Sequence, residues 1–467
     1  MYRCKSRERG GNVNGSGFTT NVIVDRFGSL IEGQYGTNPQ RAANLLLTGF
    51  RAKRFQTRHL PERAQLSGAR VGARVALESV TNALEHPGET VLTSIFLPTE
   101  IFHAMGLRPL VAEALADFIC AAHAENGLVE EAEQRGVPET YCSFHKVLLG
   151  AAATKVLAAP RLIANCSVAC DANNTTFRWL GQELGSPHVY VDVPYSYDED
   201  ACAYVADQLR ELAATCEQTF GRTLDEDQLR ERVARSQVTL DAMVRTLPRR
   251  RGRYLANDMG LEMQTALALH PSLGERDVER MATRTLDDLA HARRFEGSSL
   301  VWGHLAPFFS PGLQAMIDTN PHAQIVASDM SFDQASLARL VREGKGGTWH
   351  YDVTRPAWDH DASDPWLAMA ERLIKNTFNG PATRRIERLR TLAEVTDADG
   401  VVLFCHWGCK ETMGASQLAK RELEAAGIPT LTLDGDGCHR SNNPEGQSAT
   451  RMGAFLEMLE ARRGEVA

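Results

Sequence analysis

The chain has 467 residues, of which 43% are hydrophobic and 24% are charged, with a formal net charge of −8 at pH 7. This length predicts about two to four domains of an ordinary globular protein, and the acidic balance argues against a nucleic-acid-binding surface. Since no run of about 18 apolar residues and no signal-peptide core occurs, we expect no membrane association and a cytoplasmic location.

The first half of the chain predicts a tail, a helical cap and an α/β domain. Residues 1–17, rich in Gly, Asn and Arg, predict a disordered tail. Helix-spaced apolar residues in RAANLLLTGFRAKRF and VGARVALESVTNALE predict a helical N-terminal cap over 18–87. In the domain 88–200, GETVLTSIFLPTEIFHAMGL predicts a strand, a turn at Pro98 and a helix, and PLVAEALADFICAAHAENG continues as helix. RLIANCSVACD predicts a strand ending in a loop, and HVYVDVPY predicts a buried strand.

The second half predicts a helical segment followed by a second α/β domain. Residues 201–297 carry helical periodicity without a convincing strand. In 298–467, strands are predicted in SSLVWGHLAPFF, AQIVASDMSF, GVVLFCHWGC and IPTLTLDGDG, and ATRMGAFLEMLEARRG predicts a closing helix. Because strands alternate with helices in both blocks, we predict an α/β fold with two parallel sheets, each covered on both faces.

Three cysteines follow apolar runs at points where a helix is predicted to begin. They are Cys170 in Cys166-x3-Cys170, Cys409 in Cys405-x3-Cys409, and Cys142 in YCSFHK. In a reducing compartment, cysteines indicate metal binding or catalysis rather than disulfides. Helix N-termini favour anionic ligands such as thiolates. In α/β domains, ligands bind at the carboxyl ends of the strands, and a cleft between two such domains is a common ligand site. The pattern therefore predicts thiolates gathered between two domains, around an iron–sulfur cluster.

Other interpretations stay open at this point. A structural zinc site favours four ligands in a small loop-rich module, and a buried cysteine is often an inert core residue. His406 and His145 neighbour cysteines and are candidate proton donors or catalytic bases, although a histidine is more often structural. The basic run from Leu247 to Arg253 indicates a solvated helix end or linker, or a phosphate-docking patch for an anionic substrate such as coenzyme A.

The motifs together resemble the 2-hydroxyacyl-CoA dehydratase subunit family. In the C-terminal region, the resemblance depends on Gly408-Cys409, Gly427-Ile428-Pro429, Asp436, Gly446-Gln447, Thr450-Arg451 and Ala454-Phe455-Leu456-Glu457. Upstream, LPTEIFHAMGLRPLVAEAL, YCSFHKVLLGA and the block from RLIANCSVACD to the strand ending in Pro resemble further parts of the family pattern. The similarity extends over roughly residues 88–200 and 298–460. The same superfamily includes benzoyl-CoA reductase subunits and double-cubane cluster proteins.

The resemblance implies two flavodoxin-like domains with a 4Fe–4S cluster between them, held by Cys142, Cys170 and Cys409. It implies an oxygen-sensitive lyase (hydro-lyase) that removes water from a 2-hydroxyacyl-CoA through a ketyl radical. The implied partners are a CoA-thioester substrate, a homologous second subunit or a second copy of the chain, and an ATP-dependent iron–sulfur activator protein.

The chain departs from the family pattern by an interleaved second set of cysteines. If Cys120, Cys166 and Cys405 join the other three, six ligands suit a double-cubane 8Fe–9S cluster, as in the double-cubane members of the superfamily. Two alternative functions follow: a low-potential reductase resembling double-cubane proteins or benzoyl-CoA reductases, and a cluster-bearing subunit without an active site.

Overall fold

The computed structural model is an α/β protein with two parallel four-stranded sheets, which confirms the predicted fold class. It describes residues 16–62, 64–344 and 347–466. Most of the predicted tail, residues 1–15, lies outside this part of the chain. The last two residues of that tail, 16 and 17, are helical.

Three helices precede the first sheet, as the apolar periodicity predicts. They are α1 (Ser16–Glu32), α2 (Pro39–His59) and α3 (Ser67–Glu85). Helix α2 begins at a cap in which the Asn38 side chain accepts a hydrogen bond from the Arg41 N–H. Pro39 lies in the first turn of the helix. Backbone N–H groups have no partner within the helix there, so the N–H that proline lacks costs no hydrogen bond.

The first sheet is built from four short parallel strands, with the order β2-β1-β3-β4. These are β1 (Thr90–Thr93), β2 (Arg108–Val111), β3 (Leu162–Cys166) and β4 (His188–Val191). Val91 on the second strand in this order is paired with Pro109 on one side and Leu162 on the other. This arrangement is the strand order of flavodoxin-like domains over four strands. Its helices are α4 (Glu100–Ala104), α5 (Ala112–Ala121), α6 (Asn126–Gln134), α7 (Ser143–Ala153) and α8 (Asp171–Leu184).

Two sequence predictions for this domain were wrong in detail. The run beginning at Pro109 contains β2 before helix α5 starts, because this short edge strand tolerates a proline that lacks an N–H for the ladder. Strand β4 was predicted to be buried but forms the other edge of the sheet, and its Tyr190 is 43% exposed. In an edge strand, one face of the alternating side chains is exposed to solvent. A run of four residues as short as HVYV does not reveal this exposure.

The predicted helical segment consists of four helices. They are α9 (Glu199–Phe220), α10 (Glu226–Arg250), α11 (Met259–Ser272) and α12 (Arg276–His291). Aspartates cap three of them: the side chains of Asp198, Asp225 and Asp258 accept hydrogen bonds from N–H groups of the first turns. Helix α3 of the cap packs against α11 and α12, so the N-terminal helices and this segment form one layer.

The second sheet repeats the order of the first. Its strands are β5 (Ser298–Gly303), β6 (Ala323–Ser328), β9 (Gly400–His406) and β10 (Thr430–Gly435), in the order β6-β5-β9-β10 and all parallel. A small antiparallel pair that the sequence did not predict, β7 (Leu340–Arg342) and β8 (Trp349–Tyr351), lies between β6 and β9 in the chain. The helices are α13 (Pro311–Ile317), α14 (Asp329–Phe332), α15 (Pro365–Ile374), α16 (Ala382–Thr396), α17 (Lys410–Met413), α18 (Ser416–Ala425) and α19 (Glu445–Val466).

The two sheets place their third strands in equivalent positions. Strand β3 lies beside β1, the first strand of its sheet, and β9 lies beside β5 in the same way. The carboxyl end of such a pair is where the strand order of an open α/β sheet reverses, and ligands bind there. Cys170 follows β3 and Cys409 follows β9. The repeated topology therefore gives both cysteines the same position in their respective domains.

Candidate active site

Each of the three predicted cysteine ligands directly precedes a helix. Cys142 is the residue before α7, Cys170 the residue before α8 and Cys409 the residue before α17. The Cys170 sulfur accepts a hydrogen bond from the backbone N–H of Asn173, at 3.4 Å between Sγ and N. The unpaired N–H groups of a helix start favour the thiolate form that binds metals, and at Cys170 one of them contacts the sulfur.

All three cysteines line one cavity, to which residues of both domains contribute. Burial raises the pKa of Cys142 well above its ordinary value, and the charges of Cys409 and Cys170 raise it further. Burial and the charge of Cys409 likewise raise the pKa of Cys170, to about 12. The sulfurs are therefore near enough to repel one another as anions. Holding three thiolates here requires a positively charged partner.

Because Gly408 has no side chain, the two domains can approach each other closely at these cysteines. The φ angle of Gly408 is +79°, and a Cβ atom added there would lie 2.7 Å from the Cys142 backbone nitrogen. Beside this contact, the Ser143 hydroxyl donates a hydrogen bond of 2.6 Å to Asp436, which follows β10. Only a residue without a side chain permits so close an approach. This steric requirement explains why a glycine precedes Cys409.

His406 contacts the sulfur of Cys142. The backbone N–H of Gly437 donates to His406 Nδ1 at 2.9 Å, so in the neutral ring the proton lies on Nε2. That Nε2 lies 3.3 Å from Cys142 Sγ and donates to it. The pKa of His406 is lowered, mainly by burial, which keeps the ring neutral. Both ring nitrogens are thus engaged, and the geometry suits a residue that positions the sulfur rather than a free base.

Two carboxyl groups on one face of α5 also line the cavity. Glu113 accepts hydrogen bonds from the Asn173 side chain at 2.6 Å and from the Ile95 backbone N–H at 3.1 Å. One turn later, Asp117 has an oxygen, Oδ1, without a hydrogen-bond partner within the described residues. Burial raises the pKa of each carboxyl group to about 7. A carboxyl group of that pKa exchanges protons readily near neutral pH.

Two further histidines reach the cavity from different domains. His145, on α7, is buried, and burial lowers its pKa to about 4. His304 follows β5 with a φ of +74°, and its pKa is lowered well below the ordinary value by burial, with the Arg385 charge adding to this. The Nδ1 atom of each ring lacks a hydrogen-bond partner in the part of the chain that the structure describes. Both rings are neutral and have a nitrogen available to a ligand.

The three additional cysteines lie elsewhere. Cys166 contacts the Ser94 hydroxyl, with 4.0 Å between Sγ and Oγ. Cys405 points to the opposite side of β9 from His406 and lines a separate small cavity with Thr412 and Ser416. Cys120 is fully buried in the core. The structure does not bring this second set into the cavity lined by Cys142, Cys170 and Cys409, and the six-cysteine site remains a prediction without geometric support.

The Cys120 thiol lies against that of Cys438, which follows β10 in the second domain. Cys438 belonged to none of the cysteine patterns predicted from the sequence.

The basic run 247–253 makes contacts within the protein: Arg250 is buried and donates to the Val326 carbonyl, and Arg251 pairs with Asp397. These contacts favour the structural interpretation of that run.

The donor set fits a 4Fe–4S cluster. Three thiols from three helix starts line one cavity, and a cubane held by three cysteines leaves one iron without a cysteine ligand. Within residues 16–62, 64–344 and 347–466, no three His, Cys, Asp or Glu side chains are arranged to hold a single metal ion.

The sequence did not point to Glu113, Asp117 or His304. Glu113 became visible as a site residue only once β2 was known to end at Val111, because a side chain just after a parallel strand lies at the ligand-binding edge. The signal was the short apolar run Pro109–Val111, hidden by the helix that follows it. His304 had the same signal, since it follows the strand in SSLVWG.

Fold and site together define a class: two flavodoxin-like domains whose equivalent strand ends bring cysteines to a shared cavity. The chain belongs to the family described as "2-hydroxyglutaryl-CoA dehydratase, D-component", whose model matches residues 94–459. This confirms the resemblance stated from the motifs. No helix among the described residues has the length and apolar character needed to traverse a bilayer.

Two curated relatives are similar along most of their length. The lactoyl-CoA dehydratase subunit alpha of Anaerotignum propionicum is 25% identical over 423 residues, covering 80% of this chain and 92% of the relative. The (R)-phenyllactyl-CoA dehydratase alpha subunit of Clostridium sporogenes is 20% identical over 379 residues, covering 78% of this chain and 88% of the relative.

Proposed function

We propose that this chain is the iron–sulfur subunit of a 2-hydroxyacyl-CoA dehydratase, a hydro-lyase that eliminates water from a 2-hydroxyacyl-CoA. The observation that carries the proposal is the convergence of Cys142, Cys170 and Cys409 on one cavity, in a chain of the dehydratase family. The names of the two relatives, both dehydratase alpha subunits acting on acyl-CoA substrates, support the reaction class and a partner subunit.

In this proposal the three cysteines hold a 4Fe–4S cluster. When bound, the cluster supplies a low-potential electron centre with an open iron site, which suits a reaction through a ketyl radical of the thioester. His406 donates its Nε2–H to the Cys142 sulfur, and hydrogen bonds to ligand sulfurs adjust the reduction potential. The buried surroundings exclude water from the reactive thioester.

Glu113 is the residue best placed to accept the substrate proton. The elimination removes a hydroxide from C2 and a proton from C3, so the site needs a proton acceptor besides the electron centre. At a pKa of about 7, the Glu113 carboxyl group is a far stronger base than the His145 ring at about 4. His145 and His304 keep neutral nitrogens toward the cavity and are suited to hydrogen-bond the thioester or hydroxyl oxygen.

The reaction class implies partners that this chain does not contain. A homologous second subunit completes the enzyme, and an ATP-dependent iron–sulfur activator supplies the electron that starts turnover. The electron is recovered after deprotonation, so the net elimination is redox-neutral.

Iron and sulfide analysis of cysteine variants tests the cluster assignment. Under strict exclusion of oxygen, we expect about four irons per chain for the parent protein and a loss of at least half of them for Cys142→Ser, Cys170→Ser or Cys409→Ser. Cys166→Ser and Cys405→Ser are matched controls from the same two C-x3-C pairs and should retain the full iron content.

Three results would contradict the proposal. About eight irons per chain, lost when Cys120, Cys166 or Cys405 is replaced, would support the double-cubane reductase. Stoichiometric zinc in anaerobically isolated protein would exclude a cluster altogether. If the iron content is as expected but no 2-hydroxyacyl-CoA is dehydrated with any second subunit and activator, the chain is a cluster-bearing subunit of another reaction.

A further inference from the structure

The cavity lining beyond the cysteines is largely apolar. Helix α11 contributes Met263, Ala266 and Leu267, which share one helix face at the spacing i, i+3, i+4. An aromatic pair lies on the same cavity: the rings of Phe96 and Phe378 are 5.4 Å apart between centroids. These side chains offer dispersion contacts and no hydrogen-bond donors to a ligand.

No lysine or arginine lines this cavity among the residues that the structure describes. The two buried cations nearby are already paired. Arg385 bonds Asp329 at 2.7 Å, and its guanidinium lies 5.2 Å from the centroid of the Phe378 ring. Lys146 bonds Glu133 at 2.7 Å and the Glu139 carbonyl at 3.0 Å. Each of these cations therefore already has a carboxylate partner.

The charged groups that do line the cavity are acidic. Glu113, Asp117 and Glu411 are carboxylic acids, and the three cysteines are anionic when they hold a cluster. A ligand carboxylate placed here would be desolvated and would have no cationic partner among the described residues that line the cavity. Such burial is strongly unfavourable, whereas an apolar group of the same shape gains contacts.

We infer that this enzyme selects 2-hydroxyacyl-CoA thioesters whose acyl side chain is uncharged and apolar, and rejects dicarboxylic ones such as 2-hydroxyglutaryl-CoA. The inference rests on the proposed function and goes beyond it, since the family description names the glutaryl substrate. The discriminating element is that, among the residues the structure describes, no lysine or arginine lines the cavity together with α11 and the Phe96–Phe378 pair. Specificity of this kind comes from rejecting the wrong charge as much as from binding the right shape.

A pair of isosteric thioesters tests the inference by binding alone. The 2-hydroxy-5-methylhexanoyl-CoA side chain ends in an isopropyl group, where 2-hydroxyglutaryl-CoA has a carboxylate of nearly the same shape. Isothermal titration calorimetry of the anaerobically isolated, iron-loaded protein should give a Kd at least about tenfold lower for the neutral thioester. Equal or tighter binding of 2-hydroxyglutaryl-CoA would overturn the inference and leave the proposed function intact.

A charge placed in the cavity provides the second measurement. Leu267→Arg puts a cation on the apolar face of α11 and should reduce the ratio of the two Kd values or invert it. Val238→Arg, at a position 52% exposed on α10, adds the same charge outside the cavity and should leave the ratio unchanged. An equal change in both variants would contradict the assignment of selectivity to this cavity. If neither thioester binds the parent protein assembled with its second subunit, the proposed function itself fails.

Discussion

At the scale of single residues, the two carboxyl groups of α5 have different surroundings and so different expected roles. Glu113 has two hydrogen-bond donors that hold it in place, whereas the Oδ1 atom of Asp117 has none among the described residues. A held carboxylate of raised pKa is equipped to take a proton during turnover. An unpartnered one mainly lowers the stability of the fold when it ionises.

Replacing Glu113 should remove the proton acceptor and retain the cluster. We expect Glu113→Gln to lower kcat by about 10²- to 10⁴-fold, the usual contribution of a general base, with unchanged iron content. In the parent protein only the ionised carboxylate accepts a proton, so activity should fall as the pH drops below about 7. Steady-state kinetics over pH 5–9 measures both effects. Glu211→Gln, at an exposed position of α9, is the control, and an activity loss under threefold in Glu113→Gln would exclude the role.

Replacing Asp117 should stabilise the fold in a pH-dependent way. Burial raises the pKa of Asp117 from 3.8 to about 7, so its contribution to stability is complete below about pH 4 and is lost as the pH rises through 7. Asn does not ionise, and Asp117→Asn should therefore gain about 2 kcal/mol more over the parent protein at pH 8 than at pH 5. Urea denaturation at both pH values measures this difference. Asp207→Asn, on the exposed surface of α9, should show no such gain.

At the scale of elements, the junction between β9 and α17 depends on a glycine for two separate reasons. Gly408 has a left-handed backbone and also contacts the backbone of Cys142. Gly427, between α18 and β10, has a φ of +84° but open space around its missing side chain. Comparing Gly408 with Gly427 therefore separates the free-energy cost of placing a side chain on a left-handed backbone from the cost of disturbing the contact with Cys142.

Alanine at these two positions should have different effects on the site. Gly427→Ala should destabilise the protein by about 1–2 kcal/mol through its backbone alone and retain the iron. Gly408→Ala should cost more and also displace Cys142, so that the bound iron falls by at least half. Iron analysis and denaturation of both variants provide the test. Equal iron contents would show that the Gly408 contact does not position Cys142.

Local sequence patterns predicted some of the short strands and missed another. The strand runs in GVVLFC and RLIANC were found because several consecutive apolar residues precede a polar junction. Strand β2 was missed because its last three residues lead into helix α5 without a turn residue, so a local pattern favours one continuous helix. That omission also concealed Glu113.

At the scale of the whole molecule, a buried ion pair connects three parts of the chain. Glu100 on α4 bonds Arg372 on α15 at 2.7 Å and accepts a hydrogen bond from Ser236 on α10 at 2.6 Å. Both charged side chains are almost fully buried. These contacts join the first domain, the helical segment and the second domain.

Removing one member of this pair should strongly destabilise the fold. Arg372→Met leaves the Glu100 charge buried and unpaired, with an expected loss of about 3–5 kcal/mol in the free energy of unfolding. The double variant Glu100→Gln, Arg372→Met should recover part of that loss. Arg230→Met, which breaks an exposed pair with Asp227, should cost less than about 1 kcal/mol. Similar losses in the buried and exposed variants, measured by chemical denaturation, would contradict this account.

The sequence by itself determined the α/β class, the two-block layout and the family, because these follow from local periodicity and short motifs. It also pointed to Cys142, Cys170 and Cys409, since each stands at a predicted helix start and the latter two follow apolar runs. Only the tertiary structure decided which groups share a cavity, because that depends on how two sheets from separate parts of the chain face each other. The apolar lining from α11, the two carboxyl groups of α5 and the positions of Cys120, Cys166 and Cys405 away from this cavity all follow from that packing.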